Sequence, residues 1–214
     1  MKRNKNGTRL IVAASENDAD MLYATKFWAP DPFIYLEQNG KRTLVLSDLE
    51  IGRGRRTATA DEFVSFNQLE REVQGKDRQA PSYEKVLAHF LRKRGVRSTT
   101  VPASFPLGYA RELARDDVDL RTTNGSFWPQ REAKTDEEIK LIGHALRITE
   151  AGLARAMQVL KASKLGPGKK LRWAGKTLTS EILRAEIDST ILRAGGNPGG
   201  TIVARGISSV ALLM

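Results

Sequence analysis

Large apolar side chains recur at the three- and four-residue spacing of one helix face between Arg131 and Leu160. This stripe consists of Ile139, Ile142, Leu146, Leu153, Met157 and Leu160. Thr135 is placed to cap the start of the helix, and Glu138 follows at the spacing of a capping box. The pattern therefore predicts one long helix, which we interpret as the first element of a second domain.

Ahead of that helix, short β-rich runs alternate with helical patterns. Strands are predicted at Arg9–Ala14, Phe33–Leu36, Thr43–Leu46, Phe63–Phe66, Thr99–Ala103 and Val118–Leu120. Helices are predicted at Ala19–Leu22, from a Ser82 cap to Arg94, and at Leu107–Ala114. Between the second and third strands, Asn39 and Gly40 favour a type I′ turn, because both central residues of that turn need positive φ. The alternation predicts an α/β domain over residues 1–125, with a mixed sheet and flanking helices.

Prolines, glycines and charge mark the predicted breaks. Thr25–Pro32 holds two prolines and two large aromatic residues and is predicted as a loop, and Gly52–Arg56 is predicted as a basic loop. Downstream of the long helix, the predicted elements are a break at Gly166–Gly168, a second helix from Thr179 or Ser180 to Gly195, and a strand at Thr201–Ala204. We expect an N-terminal domain over residues 1–125, a linker over 126–134 and a second domain over 135–214.

Composition narrows the class of protein. Hydrophobic residues make up 40% and charged residues 28% of the 214 positions, which is typical of globular proteins. No apolar run approaches the ~20 residues that a membrane span needs. The run at Leu10–Ala14 is too short for a signal-peptide core, so we expect a cytoplasmic protein with no membrane partner. The chain has no Cys, which excludes disulfides, thiolate catalysis and cysteine zinc sites.

The net charge of +10, from 35 Lys and Arg against 25 Asp and Glu, raises the question of a nucleic-acid partner. The basic clusters at Lys2–Lys5, Arg53–Arg56 and Lys169–Arg172 are scattered and have no interleaved aromatic residues. Such runs usually form solvated loop faces, so we expect no nucleic-acid partner. A basic nucleic-acid-binding protein remains an alternative, which a salt-dependent gel shift would favour.

Candidate catalytic groups are sparse. His89 and His144 have no second His and no carboxylate at metal-ligand spacing, so each is interpreted as a partly buried or surface histidine. Carboxylates cluster at Asp136–Glu138, at Asp116 and Asp117, and at Glu181 and Glu186. Helix capping, a loop position and pairing of the last set with Arg184 account for them. We therefore assign no catalytic residue and no metal ligand.

Two glycine-rich segments invite comparison with phosphate-binding loops. In the segment AGGNPGGT, Gly200 is followed directly by Thr201, without the lysine of a Walker loop. This segment is interpreted as a helix C-cap followed by a tight turn. Gly52-Arg53-Gly54 is only a fragment of a dinucleotide-binding fingerprint, so neither segment predicts a nucleotide site.

Four stretches, in this order, carry a family resemblance. They are DADMLYATKFWAPDPFIYLEQNGKRTLVLSDLE, REAKTDEEIKLIGHALRITEAGL, LTSEILRAEIDSTILRAGG and TIVARG. In them the chain resembles the creatinase, prolidase and X-Pro aminopeptidase group of metallopeptidases, whose catalytic domain has the pita-bread fold. The resemblance implies a creatinase-like N-terminal α/β domain followed by an incomplete α+β pita-bread domain.

The resemblance implies a metal-dependent X-Pro aminopeptidase or X-Pro dipeptidase, which hydrolyses N-terminal X-Pro peptide bonds. Complete members of the family use two divalent ions, of manganese, cobalt or zinc, to activate a water molecule. Their ligands are Asp, His and Glu residues that lie beyond the TIVARG-like strand. No position of this chain matches them, so we expect no metal ion to bind it. We expect a truncated or frame-altered product, or the first portion of a split gene, that is inactive alone.

The same resemblance implies a homodimer formed through the N-terminal domain. In dimeric relatives, loops of that domain can reach the active-site mouth of the other subunit. Phe27 and Trp28, in the loop Thr25–Pro32, are therefore candidate substrate-binding residues that act in trans. The alternative is that their rings cover the hairpin. A non-catalytic assembly module is the remaining functional alternative.

Overall fold

The computed structural model describes residues 7–75, 79–123 and 125–204, and the chain divides into two units. The first unit is Met1–Glu132 and the second unit is Ala133–Met214. This division falls within the residues predicted as the linker. No helix in the described ranges combines the length and the apolar character that crossing a bilayer requires.

A six-stranded sheet with the order β4-β3-β2-β1-β5-β6 organises the first unit. Its strands are β1 Arg9–Ala13, β2 Phe33–Gln38, β3 Lys41–Leu46, β4 Glu62–Ser65, β5 Ser98–Val101 and β6 Asp119–Thr122. Strand β2 runs antiparallel to both of its neighbours, whereas the other neighbouring pairs are parallel. The predicted mixed sheet is confirmed. The β2–β3 turn is also as predicted, with φ of 54° at Asn39 and 77° at Gly40.

Helices cover both faces of this sheet. They are α1 Ala19–Thr25, α2 Asp48–Thr57, α3 Phe66–Gln74, α4 Tyr83–Lys93 and α5 Leu107–Arg115. Alternate residues of a strand point to opposite faces, so β1 places Leu10 and Val12 in one core and Ile11 in the other. The first core includes side chains from α3, α4 and α5, and the second includes Met21 of α1 and residues Phe127 and Trp128.

Two helices of the first unit differ from the sequence prediction. Gly52–Arg56 is not a basic loop, because it lies inside α2, and α3 was not predicted at all. Two glycines lower the helix propensity of α2, so the local pattern favours a loop. Tertiary packing reverses that preference, since Gly54 is buried where α2 approaches Leu46 and Phe63. Helix α3 begins at a Ser65 side-chain cap, which accepts a hydrogen bond from Gln68 N.

The second unit begins with α6 Asp136–Ala162, a helix of 27 residues that has the predicted capping box. A small antiparallel sheet follows, which the sequence did not predict. Its strands are β7 Lys164–Leu165, β8 Leu171–Trp173 and β9 Lys176–Thr177. Helix α7 Ser180–Arg193 is capped by Thr179. The strand predicted at Thr201–Ala204 is wrong, because these residues have no strand pairing.

Helices α6 and α7 pack through a close approach at Gly152. A Cβ atom built on Gly152 would lie 3.0 Å from Ile191 Cγ1 and 3.2 Å from Ile187 Cγ2, so glycine admits both side chains. Ala156 and Val159 of α6 are buried along the helix. Arg155 donates to Glu186 Oε2 at 2.8 Å and links the two helices at their rim.

Glu62 on the edge strand β4 forms ion pairs with a residue of β3 and with a residue at the end of α4. Its carboxylate accepts hydrogen bonds from Arg94 Nη2 at 2.5 Å and pairs with Lys41 Nζ at 2.7 Å. The Arg94 hydrogen bond, helped by Lys41, lowers the pKa of Glu62 to about 2 from its usual 4.5. The folded pKa is thus below the unfolded value. The ionised group therefore stabilises the fold above about pH 4.5, and this stabilisation is lost as the pH falls towards about 2.

Glu62→Gln is expected to remove part of the acid sensitivity of the first unit. The variant should be less stable than the wild type near neutral pH, and this difference should shrink below about pH 4.5. Urea denaturation at several pH values measures it. The control is Glu16→Gln, which makes the same substitution at an exposed residue in the turn after β1. Parallel profiles for the wild type and Glu62→Gln would contradict the assigned role.

Candidate functional site

The structure separates the two aromatic residues that the sequence put forward as a substrate contact. Phe27 is 1% exposed and packs edge-on against Phe33, at 5.7 Å between ring centroids. Trp28, the next residue, is 51% exposed. Phe27 therefore belongs to the core of the first unit, which agrees with the alternative that its ring covers the hairpin. The contact in trans predicted for this loop rests on Trp28 and stays a prediction.

Hydrogen bonds hold the loop that presents Trp28. The buried Ser15 hydroxyl donates to Phe27 O at 2.7 Å and accepts from Ala29 N at 2.8 Å. Arg53 donates to Trp28 O at 2.8 Å, and its guanidinium lies 4.2 Å from the centroid of the Phe27 ring. Arg53 also pairs with Glu50 at 2.5 Å, so the indole is displayed from a fixed backbone beside a charge that is already matched. Such a surface suits an apolar or aromatic side chain.

A second candidate is a surface cleft on the first unit between α3, α4 and α5. Its volume is about 380 Å³, and its lining is mostly charged. The lining residues are Glu72, Val73, Lys85, Ala88, His89, Arg92, Glu112 and Asp116. At one side, Glu72 Oε2 lies 2.8 Å from His89 Nε2 and 2.7 Å from Lys93 Nζ. The hydrogen bonds from Lys93 and then from His89 lower the pKa of Glu72 to about 2.

The charges of this cleft are largely matched within the protein. Asp116 accepts from Arg92 at 2.5 Å, and Glu112 accepts from Arg115 at 2.7 Å. A carboxylate held by cations is stabilised in its ionised form and is a poor general base near neutral pH. The cleft is therefore best described as an ion-pair network. It confirms the interpretation of His89 as a partly buried histidine, and it adds a carboxylate partner that sequence spacing did not reveal.

The remaining candidates from the sequence have structural roles. Glu186 pairs with Arg155 on α6 instead of Arg184, since the two helices pack side by side. The glycines after α7 form a C-cap, with φ of 85° at Gly195 and a hydrogen bond from Gly196 N to Ile191 O at 2.9 Å. His144 is an exposed residue of α6. The Gly52-Arg53-Gly54 segment is helical, so it forms no phosphate-binding turn.

A two-ion peptidase site would need a convergent set of carboxylate and imidazole donors. Within ranges 7–75, 79–123 and 125–204, no three His, Asp or Glu side chains converge as a group that could hold a metal ion. A pair of bridging divalent ions needs several carboxylates and an imidazole around one cavity. The described residues therefore do not fit such a pair.

Comparisons with known proteins identify the fold. No protein-family model matches the chain, and no curated protein sequence matches it. Among solved structures, it is similar to the X-Pro aminopeptidase of Thermotoga maritima, with 14% identity, a TM-score of 0.64, and coverage of 88% of this chain and 47% of that chain. It is similar to the prolidase of Pyrococcus furiosus, with 11% identity, a TM-score of 0.62, and coverage of 89% and 46% respectively. It is also similar to the Xaa-Pro dipeptidase of Bacillus anthracis, with 13% identity, a TM-score of 0.64, and coverage of 87% of this chain and 44% of that chain.

These likenesses agree with the resemblance drawn from the sequence. The chain has the fold of the N-terminal part of prolidase and X-Pro aminopeptidase chains, with a mixed sheet flanked by helices and then the opening elements of a second domain. It spans less than half the length of each of these three structures. At identities of 11% to 14%, these likenesses show the fold alone, because one fold can host many different reactions.

Proposed function

We propose that this chain serves a metal-dependent X-Pro aminopeptidase or X-Pro dipeptidase, as its N-terminal domain and the first helices of its catalytic domain. The observation that supports the proposal is the extent of the structural likeness. The match with a TM-score of 0.64 covers 88% of the chain, so the matched region includes elements of both units and not only the α/β sheet. A common α/β domain alone would have been a weaker guide, because such folds host many functions.

On this proposal, the described residues supply no ligand to the metal ions. Polypeptide corresponding to the other half of the matched structures would supply the Asp, Glu and His ligands for manganese, cobalt or zinc. In a homodimer, Trp28 of one copy would be the candidate contact with the substrate of the other copy. The substrate would be a peptide with proline in the second position.

The proposal predicts that residues 1–214 assayed alone with Mn²⁺ and an X-Pro peptide give no turnover above a metal-only control. The reason is that the described carboxylates and histidines do not converge as a metal-binding group. A longer product that includes whatever the DNA downstream of Met214 encodes should hydrolyse X-Pro peptides in a metal-dependent manner. The matched control substrate is the same peptide with alanine in place of proline.

Three outcomes would overturn the proposal. They are turnover by residues 1–214 alone, a longer product without preference for proline, and a downstream sequence with no carboxylate and imidazole ligands. The last result would favour a non-catalytic assembly module, in which the α/β unit acts only through contacts with other proteins.

A further inference from the structure

Positive charge is concentrated in one stretch of the second unit. Residues 151–180 contain seven Lys and Arg residues and no Asp or Glu, whereas the rest of the chain has 28 Lys and Arg against 25 Asp and Glu. This stretch therefore carries +7 of the net charge of +10. Arg155 pairs with Glu186 of α7. The other six cations are exposed, and they are Lys161, Lys164, Lys169, Lys170, Arg172 and Lys176.

The three-stranded sheet of the second unit gathers five of these cations. We call residues 164–177, which form β7, β8, β9 and their turns, the basic ribbon. Lys164 of β7 lies directly opposite Arg172 of β8, and the stem of Arg172 passes over Gly166, where a Cβ atom would lie 2.6 Å from Arg172 Cδ. The turn after Gly166 adds Lys169 and Lys170. The cluster interpreted from the sequence as a solvated loop face is thus part of a turn and a strand.

The two faces of the basic ribbon differ in character. Directly opposite residues share a face, and successive residues of a strand alternate between faces. The Trp173 ring centroid lies 5.7 Å from the Arg155 guanidinium of α6, so the Trp173 face is turned towards α6. The other face points away from α6 and is polar throughout its strands. The polar face carries Lys164, Arg172 and Thr177, and the Trp173 face carries Leu165, Leu171, Trp173 and Lys176.

Two local features of the basic ribbon are unfavourable without an anionic partner. The like charges of Lys164 and Arg172 stand opposite each other, which destabilises a strand pair. Lys169 has a φ of 55°, in the left-handed region where a lysine is strained. Positions that break local rules in this way are expected at functional sites. The sequence therefore favours a ribbon that has a role in binding over one that only adds stability.

Completion of a hydrophobic core would not cover such a surface. Apolar faces are buried when a core forms, whereas Lys and Arg stay in water unless carboxylates are buried with them. Polypeptide laid over the basic ribbon would have to bring several carboxylates. The exposure of these cations is therefore a property of the ribbon itself, and their natural partner is an anion from outside it.

We propose that the basic ribbon binds the phosphate backbone of nucleic acid without reading its sequence. A nucleic-acid strand carries one negative charge every ~3.4 Å, a density that suits several cations on a sheet ~10 Å wide. An anionic bilayer is a poorer fit, because interfacial binding uses apolar and cationic side chains together and the polar face has no apolar member. The proposal departs from the expectation of no nucleic-acid partner, and it does not depend on the proposed peptidase function.

The first test titrates the full chain into a fluorescently labelled single-stranded RNA of mixed sequence and follows its anisotropy at several salt concentrations. Binding should weaken as salt rises, with a slope of log K against log salt of up to about −3.5 if all five cations of the ribbon meet phosphates. Lys164→Gln combined with Lys170→Gln should weaken binding about tenfold at low salt and reduce the slope by about 1.4.

The matched control is Lys85→Gln combined with Lys140→Gln. It removes the same two charges from exposed lysines of α4 and α6 that lie outside the basic ribbon. This control should leave the slope unchanged, and circular dichroism should show an intact fold for both double variants, because all four lysines are exposed. Lysine acetylation read by mass spectrometry locates the surface directly, since bound RNA should shield Lys164 and Lys170 but not Lys85.

Further measurements separate the possible anions. Binding of duplex DNA under the same conditions shows whether the backbone of RNA, of DNA or of both is accepted, and each of these supports the proposal. Salt-insensitive binding, or none to either nucleic acid, overturns it. An equal loss in the two double variants overturns it in favour of net charge alone. Binding to vesicles of anionic lipid in place of nucleic acid would indicate a membrane partner and overturn it.

The longer product that includes whatever the DNA downstream of Met214 encodes provides the last test. It should keep the salt-dependent RNA binding and its sensitivity to the Lys164 and Lys170 substitutions. Loss of binding in this product would show that acidic polypeptide covers the basic ribbon, and would overturn the proposal. Its hydrolysis of X-Pro peptides is measured separately, so a failure of the proposed peptidase function and a failure of nucleic-acid binding are distinguishable.

Discussion

Trp128→Ala is expected to lower the free energy of unfolding of the first unit by about 3–5 kcal/mol. The Trp128 side chain is 7% exposed and lies edge-on to Tyr35, at 6.1 Å between ring centroids, and to Phe127, at 5.2 Å. The Arg9 guanidinium lies 4.6 Å from its ring centroid. Removing the indole therefore leaves a cavity between the sheet and the last residues of the unit. Urea denaturation followed by circular dichroism measures the loss.

The matched control is Trp28→Ala, which removes the same indole from a half-exposed position. That variant should lose far less stability, since most of its ring is already in water. Equal losses for the two variants would contradict the assignment of Trp128 to the core.

The same packing bears on where the first unit ends. A fragment of residues 1–132 should fold cooperatively, whereas residues 1–125 should be much less stable. The shorter fragment lacks Phe127 and Trp128 and also the ion pair between Arg131 and Asp20, at 2.5 Å. Comparing the urea midpoints of the two fragments would decide the boundary, and equal midpoints would support a boundary at residue 125.

Local signals in the sequence were sufficient for several elements of this fold. The Asn39-Gly40 turn and the Thr135–Glu138 capping box depend on residues close together in the chain, and the structure shows both. Burial of Phe127 and Trp128 depends instead on strands about a hundred residues earlier. The linker predicted over residues 126–134 therefore includes two residues, Phe127 and Trp128, that complete a core.

The candidate sites show the same contrast. Glu72 and His89 lie on different helices, 17 positions apart, so no metal-ligand spacing could reveal their contact. Phe27 and Trp28 are neighbours of similar chemistry, but one is enclosed and the other half-exposed. Sequence alone could select the aromatic loop, but only the packing of Ser15 and Arg53 decides which ring faces outward.

The sequence predicts which residues form the apolar stripe on α6, but it does not predict whether these residues are exposed. Helical periodicity identified its members, and the same periodicity is found in helices that are covered on that side. Helix α7 packs on the part of the α6 circumference around Gly152, and the stripe residues are 40% to 64% exposed in the described part of the chain.

Gly54→Val is expected to lower the free energy of unfolding of the first unit by about 3 kcal/mol. A Cβ atom on Gly54 would lie 2.4 Å from Leu46 Cδ1 and 3.4 Å from Phe63 Cε1. Leu46 is 1% exposed within a close-packed core, so it has little room to yield. Helix α2 must then move away from the sheet. Thermal or urea denaturation of the full chain, followed by circular dichroism, measures the effect.

Gly52→Val provides a control with the same substitution on the same helix, two residues away. The nearest atom to a Cβ on Gly52 is Arg56 Nη1, at 3.9 Å, so the new side chain meets no core. Valine and glycine differ little in helix propensity, so Gly52→Val should change stability by less than about 1 kcal/mol. A similar loss in both variants would mean that propensity sets the cost, and a small loss in both would mean that α2 can move off the sheet freely. Only a large loss confined to Gly54→Val shows that this helix forms because the sheet holds it at close range.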